Sequence, residues 1–201
     1  MRGVYQAVVR ATALPAALLL HLRYRGIHNI PKDGPFIVCS NHQCVADPYF
    51  IAIAFRQHLY FMAKSELFTE HGRAAAGFLR AAGAFPVHRA AADRQSLHTA
   101  LKILQHGGCL GIFPQGKVVF ENESFRPKAG AALLAARAGV PVVPVSIWCA
   151  APWKFGKKTT VRIGPPLAAE CFAGADRSRG RLRQSIALLA EAINHQLEMG
   201  H

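Results

Sequence analysis

The sequence predicts an α/β domain with a mixed, largely parallel central sheet flanked by helices. Short apolar runs alternate with longer stretches of helical periodicity beyond residue 30, as layered α/β folds require. The chain has 201 residues, 51% hydrophobic and 17% charged. Those figures suit one domain burying roughly 70% of its unfolded surface and exclude a disordered chain. No repeat, low-complexity tract or linker interrupts the pattern.

Taken in order, the first element is Val4 to Leu22, which as one helix would be roughly 28 Å long. Arg10 and Pro15 interrupt it, and the uncharged stretch Ala11 to Leu20 reaches only about half the depth of a bilayer core. Basic residues follow instead of a small-residue cleavage site, which disfavours a secretory signal. Three readings stand: a helix lying in one leaflet of a membrane, an amphipathic helix packed on the domain, and, third, a full span. Residues 1–25 are assigned to this N-terminal interfacial helix and residues 26–201 to the main domain.

Phe36 to Cys39 is a strand ending at Ser40-Asn41-His42. Pro48 to Phe55 is a helix with Asp47 as N-cap and Pro48 in its first turn. Leu59 to Ala63 is a second strand. Phe85 to His88 is a third, which Pro86 confines to a sheet edge or bulge. Asp93 to His106 is a helix closed by Gly107-Gly108, with Leu97, Leu101 and Leu104 inward. Cys109 to Phe113 is a buried strand stopped by Pro114-Gln115-Gly116. Ala129 to Ala138 is a helix ended by Gly139. Val140 to Ile147 and Thr160 to Ile163 complete the strands. A last helix, about Ser178 to Leu197, aligns Leu182, Ile186, Leu189, Ile193 and Leu197.

The charge balance is +13, from 24 Lys and Arg against 11 Asp and Glu. That surplus predicts an anionic partner. The basic residues are scattered, and no nucleic-acid-binding pattern appears, so a phospholipid surface or a phosphorylated substrate is favoured over nucleic acid. The densest clusters are Lys154 to Lys158, read as headgroup contacts, and Arg177 to Arg183, read as a solvated face. Five cysteines without a C-x-x-C pair argue against a disulfide framework or zinc ribbon. Cys44 stands apart among them, and the other four read as small core residues. No metal-ligand spacing and no nucleotide-binding glycine motif is present.

The sharpest feature is Asn41-His42-Gln43-Cys44-Val45-Ala46-Asp47, an N-H-x-x-x-x-D pattern directly after a strand. At this chain's composition chance would produce about 0.004 such patterns. Residues five apart do not share a helix face, so His42 meets Asp47 only if a turn folds the imidazole back onto the start of the next helix. A carboxylate on one ring nitrogen would then fix the tautomer and leave the other nitrogen basic. Ser40 lacks a nucleophile-elbow context, and Cys44 reads better as a buried spectator than as a thiolate. A base without a protein nucleophile suggests that the nucleophile is a substrate hydroxyl.

These residues, with three further blocks, resemble the glycerolipid acyltransferase family, in particular the bacterial lysophosphatidic acid acyltransferase type. Gly83, Phe85 and Arg89 match its second block. Phe113, Pro114 and Gly116 match half of its third, and Val140 to Val145 match its fourth. Lys64 before Glu-Leu-Phe, and Lys128 with Gly130, recur there too. The resemblance covers residues 30–165. It implies acyl transfer from acyl-CoA or acyl carrier protein to the hydroxyl of a lysophospholipid, most simply 1-acylglycerol-3-phosphate, with His42 as general base and Asp47 orienting it. Asn41, Lys64, Arg89, Gln115, Gly116, Lys117, Arg126 and Lys128 are the implied substrate-binding residues; Asn41 would either hold the turn or donate a hydrogen bond. The acyl donor would be a substrate, with no bound prosthetic group. Membrane phospholipids are implied partners and the cytoplasmic face of the cell membrane the implied location.

The third block departs from the family. Gln115-Gly116-Lys117-Val118 replaces Glu-Gly-Thr-Arg, which loses a carboxylate and a guanidinium. Lys117, Arg126 or Lys128 would have to supply the missing charge, as point cations rather than planar forks. A non-phosphatidate membrane alcohol, such as a lyso-aminolipid or a glycolipid, therefore stands as an alternative acceptor. Water as acceptor, in a thioesterase or lipid hydrolase, and a non-catalytic membrane-binding relative are the remaining rivals.

Overall fold

The structure, a computed structural model, describes residues 2–55, 57–70, 72–87, 94–119, 123–149 and 157–200. Seven strands form one sheet: β1 (Leu22–Arg25), β2 (Ile37–Ser40), β3 (Leu59–Lys64), β4 (Ala84–Val87), β5 (Cys109–Ile112), β6 (Val142–Cys149) and β7 (Thr159–Ile163). Their spatial order is β1-β7-β6-β2-β5-β3-β4. Every neighbouring pair is parallel except β6 with β7, so the expected mixed, largely parallel sheet is what forms. β4 lies at an edge, where Pro86 leaves no ladder hydrogen bond unmade.

The helices are α1 (Arg2–Leu19), α2 (Asp47–Ala54), α3 (Glu66–Thr69), α4 (Gly72–Ala81), α5 (Arg94–Gln105), α6 (Gly130–Ala138) and α7 (Arg179–Glu198). Two core layers cover the sheet. Alternation along β2 divides its side chains between them: Ile37 and Cys39 join the layer under α5, α6 and α7, while Phe36 and Val38 join the layer under α2. Leu189, Ile193 and Leu197 of α7 are buried as expected, with Leu182 and Ile186 packed at the margin. Gly139 ends α6 in the left-handed region at φ 63°. Ser178 caps α7, accepting from the Arg181 N–H.

Four expectations need correction. The N-terminal helix stops at Leu19, and Leu22–Arg25 is a strand pairing with β7, so residues 22–25 belong to the sheet and not to the helix. The helix also runs through Pro15, which lies inside it. Asp47 is the first residue of α2 and not its cap; its carboxylate serves the preceding loop. Cys171 is exposed, because its short 3-10 turn turns Phe172 inward in its place. The proposed helix start at Asp93 and the end of the third strand at His88 lie outside the described residues.

Candidate active site

In a parallel sheet the loops at the carboxyl ends of the strands gather at one end. The loop after β2 meets the loop after β5 there, with β3 delivering Lys64 to the same end. Asn41 anchors the arrangement. Its buried side-chain amide donates to the Ile147 carbonyl at 2.8 Å and accepts the Ile147 N–H at 2.7 Å. Both ends of the amide are thereby engaged by β6, the arrangement expected of a residue that holds the turn.

The turn does fold His42 onto Asp47. His42 Nδ1 lies 2.8 Å from Asp47 Oδ2, and the aspartate is fully buried. The same oxygen accepts the N–H groups of Gln43 and Cys44, and Oδ1 accepts the Cys44 thiol at 3.1 Å. Four donors therefore converge on one buried carboxylate, which fixes its orientation. An acceptor-only oxygen opposite Nδ1 assigns the proton to that nitrogen and leaves Nε2 with the free lone pair. Among the described residues nothing hydrogen-bonds Nε2, and the side chain keeps 16% of its surface open.

Neither possible nucleophile is usable. Burial first, then the neighbouring Asp47 charge, pushes the Cys44 thiol well above the usual thiol range, so it is not a thiolate at neutral pH. Ser40 is buried and donates to the Asn41 carbonyl. Cys44→Ser, which keeps a donor for Asp47, is expected to retain most of the turnover in a steady-state assay; loss as deep as that of a base variant would make the thiol the nucleophile.

The loop after β5 grips His42 from the other side. Gln115 Oε1 accepts the His42 backbone N–H at 3.0 Å, and the His42 carbonyl accepts from Val119 N–H at 2.7 Å. The imidazole stacks on Phe113 with centroids 4.2 Å apart, and Phe113 in turn stacks on Phe61. Gly111 makes room for this column: a Cβ there would lie 2.1 Å from the Phe61 ring. The roles of Phe113 and Gly111 escaped the sequence reading, although a glycine inside a buried four-residue strand is itself a signal of close approach. Gly111→Ala is expected to cost about 1–3 kcal/mol by overpacking, read by chemical denaturation, and to lower activity by displacing the stack.

The other expected binding residues are divided. Gly116 adopts φ 74°, and the Lys128 ammonium lies 3.2 Å from where a Gly116 Cβ would stand, so a cation does sit against this turn. Lys117, Arg126 and Lys128 are all exposed. Lys64 pairs with Glu66 at 3.1 Å; the Ser65 hydroxyl, the Glu66 backbone N–H and Lys64 hold that carboxyl down at about 2. Arg89 lies outside the described residues. Gly83 of the second block is a steric requirement: at φ 82° a Cβ would meet His58 and the Leu59 carbonyl at 2.6 Å. Lys157 and Lys158 of the expected headgroup cluster are exposed, and the rest of that cluster lies outside the described residues. Among the described residues no three His, Cys, Asp or Glu side chains group to hold a metal, and no helix is long and apolar enough to cross a membrane.

The mixed α/β sheet holds a buried carboxylate against a part-open imidazole at its strand ends, a candidate acid–base site. The chain belongs to the acyltransferase family, whose model matches residues 21–148. It is 29% identical over 174 residues to the 1-acyl-sn-glycerol-3-phosphate acyltransferase of Bacillus subtilis, covering 85% of this chain and 83% of that protein. The enzyme of the same description from Streptococcus pneumoniae is 32% identical over 126 residues, or 61% of this chain and 46% of the relative. The crystal structure of the 1-acyl-sn-glycerophosphate (LPA) acyltransferase PlsC from Thermotoga maritima superposes with a TM-score of 0.78 at 26% identity, over 98% of this chain and 80% of that one. The resemblance inferred from the four sequence blocks is borne out.

Proposed function

We propose that this acyltransferase moves a fatty acyl group from acyl-CoA or acyl carrier protein to the free hydroxyl of 1-acylglycerol-3-phosphate. The carrying observation is the 2.8 Å contact between His42 Nδ1 and the buried Asp47. In this reading Nε2 takes the acceptor's hydroxyl proton as its oxygen attacks the thioester carbonyl carbon. The tetrahedral intermediate then collapses, the C–S bond breaks, and the imidazolium returns its proton to the departing thiolate. Asp47 stabilises the transient imidazolium without accepting its proton. The activities by which the relatives are named support the acceptor, and Lys128 against Gly116, with Lys117 and Arg126, supports a phosphate on it.

Because Gln115 is neutral and occupied by His42, the acceptor panel must include a phosphate-free alcohol. The test is acyl transfer by purified protein from labelled acyl-CoA or acyl carrier protein to lysophosphatidate, a lyso-aminolipid and a glycolipid. Preferential acylation of lysophosphatidate is expected. Preference for a phosphate-free alcohol overturns the acceptor assignment, and release of free fatty acid alone overturns acyl transfer to an alcohol. We place the protein at the cytoplasmic face of the membrane, with α1 in the interface, because Leu14, Leu18 and Leu19 are turned outward.

A further inference from the structure

We propose that Asn194 of α7 is a positioning residue for the acceptor's phosphate: it sets the place of residues 125–128, which carry Arg126 and Lys128. This rests on the phosphorylated acceptor proposed above. Residues 123–128 lie in no helix or strand, so no regular ladder of backbone hydrogen bonds fixes them. Asn194 does so from 69 positions away. Its Oδ1 accepts the Phe125 N–H at 2.6 Å, and its Nδ2 donates to the Phe125 carbonyl at 3.1 Å. Two bonds to one residue fix orientation as well as distance, where a single bond would leave a swivel. Asn41 grips Ile147 in the same way. The Phe125 ring is buried in the core layer that holds Ile193 and Leu197 of the same helix.

The far end of the segment is tied as well. The Lys128 N–H donates to the Pro114 carbonyl at 3.0 Å, beside the Gln115–Gly116 turn that holds the His42 backbone. Between the two ties, Pro127 fixes its own φ and confines Arg126 to extended backbone. Arg126 and Lys128 are exposed, and among the described residues neither pairs with a carboxylate. Two available cations therefore ride on a short span, one end referenced to the base and the other to α7. That helix lies beyond residues 21–148, the part the family model matches. Asparagine is a weak helix former, and Asn194 spends both polar ends on Phe125 rather than on its own helix. Without it the Phe125 end of the span can shift and carry Arg126 with it, while the His42–Asp47 pair stays in place. The loss should fall on acceptor binding and spare the chemical step.

The test is steady-state acyl transfer by the full chain from acyl-CoA to lysophosphatidate. Asn194→Ala is expected to raise the lysophosphatidate KM about tenfold with kcat within about twofold of wild type, the pattern of lost uniform binding. Added to Arg126→Ala/Lys128→Ala, it is expected to raise that KM by less than about twofold further, because the cations it places are already gone. Asn194→Asp keeps the acceptor for the Phe125 N–H and loses the donor. It is expected to raise KM in the same direction, and it replaces the alanine variant should that one fail to fold. A merely structural Asn194 predicts a lower denaturation midpoint with both substrates' KM values unchanged, and that result overturns the proposal. So does a rise confined to the acyl-CoA KM, or an undiminished further rise once both cations are removed. If the wild-type protein does not acylate lysophosphatidate, the functional reading fails and the positioning role falls with it. Turnover of lysophosphatidate by Asn194→Ala at the wild-type KM leaves that reading standing and removes the role alone.

Discussion

Replacing His42 with alanine is expected to reduce kcat by roughly 10²- to 10⁴-fold, the usual worth of a positioned general base. No other described side chain near the loop can take over. Cys44 is a protonated thiol donating to Asp47, Ser40 is buried on a backbone carbonyl, and Gln115 is an amide without basicity. The loop's backbone contacts to Gln115 and Val119 do not depend on the ring. The variant should therefore fold, losing the stack on Phe113 and the Nδ1 contact with Asp47. Circular dichroism and a denaturation curve establish folding, and single-turnover acyl transfer reads the chemical step. Turnover near wild type in a folded His42→Ala protein would remove the mechanism.

Asp47→Asn is expected to be nearly as damaging, with a fall in kcat of about 10³-fold. The carboxylate accepts from four donors, three of them on Oδ2. An amide in its place presents an NH₂ group to one oxygen's partners. Facing His42, that group would favour the proton on Nε2, the nitrogen that must accept it from the acceptor. Facing Cys44 instead, it would point an N–H at the thiol hydrogen and still lack the charge that stabilises the imidazolium. A purely structural Asp47 predicts something different: lower stability but unchanged kcat per folded molecule. Measuring active-site concentration and kcat together with the denaturation midpoint separates the two.

Much of the fold was legible in the sequence because its signals are local. The apolar runs at residues 36–39, 59–63 and 109–113, the helix stops at Gly107 and Gly139, and the stripe along α7 each express one period or one special backbone conformation. β1 was not legible. Leu22-Arg-Tyr-Arg has one buried residue and three polar or half-buried ones, and it becomes a strand only by pairing with β7, some 137 positions away. α3 and α4 went unread as well, the first a single turn and the second a run of Gly and Ala with only Phe78 and Leu79 as large apolar residues.

The site divides in the same manner. Asn, His and Asp at fixed spacing after a strand were sufficient to place the imidazole beside the carboxylate, since both lie within one short loop. The amino-acid order alone also determined the family, through four blocks in sequence. It could not assign Asn41 between turn and substrate, nor show that Gln115 is spent on the His42 backbone, nor find the Gly111–Phe61–Phe113 support beneath the imidazole. Those contacts join residues from β2, β3, β5 and β6, tens of positions apart. Hydrogen bonds and ring stacking act over a few ångströms of space, so they acquire partners only once the sheet has brought its strands side by side.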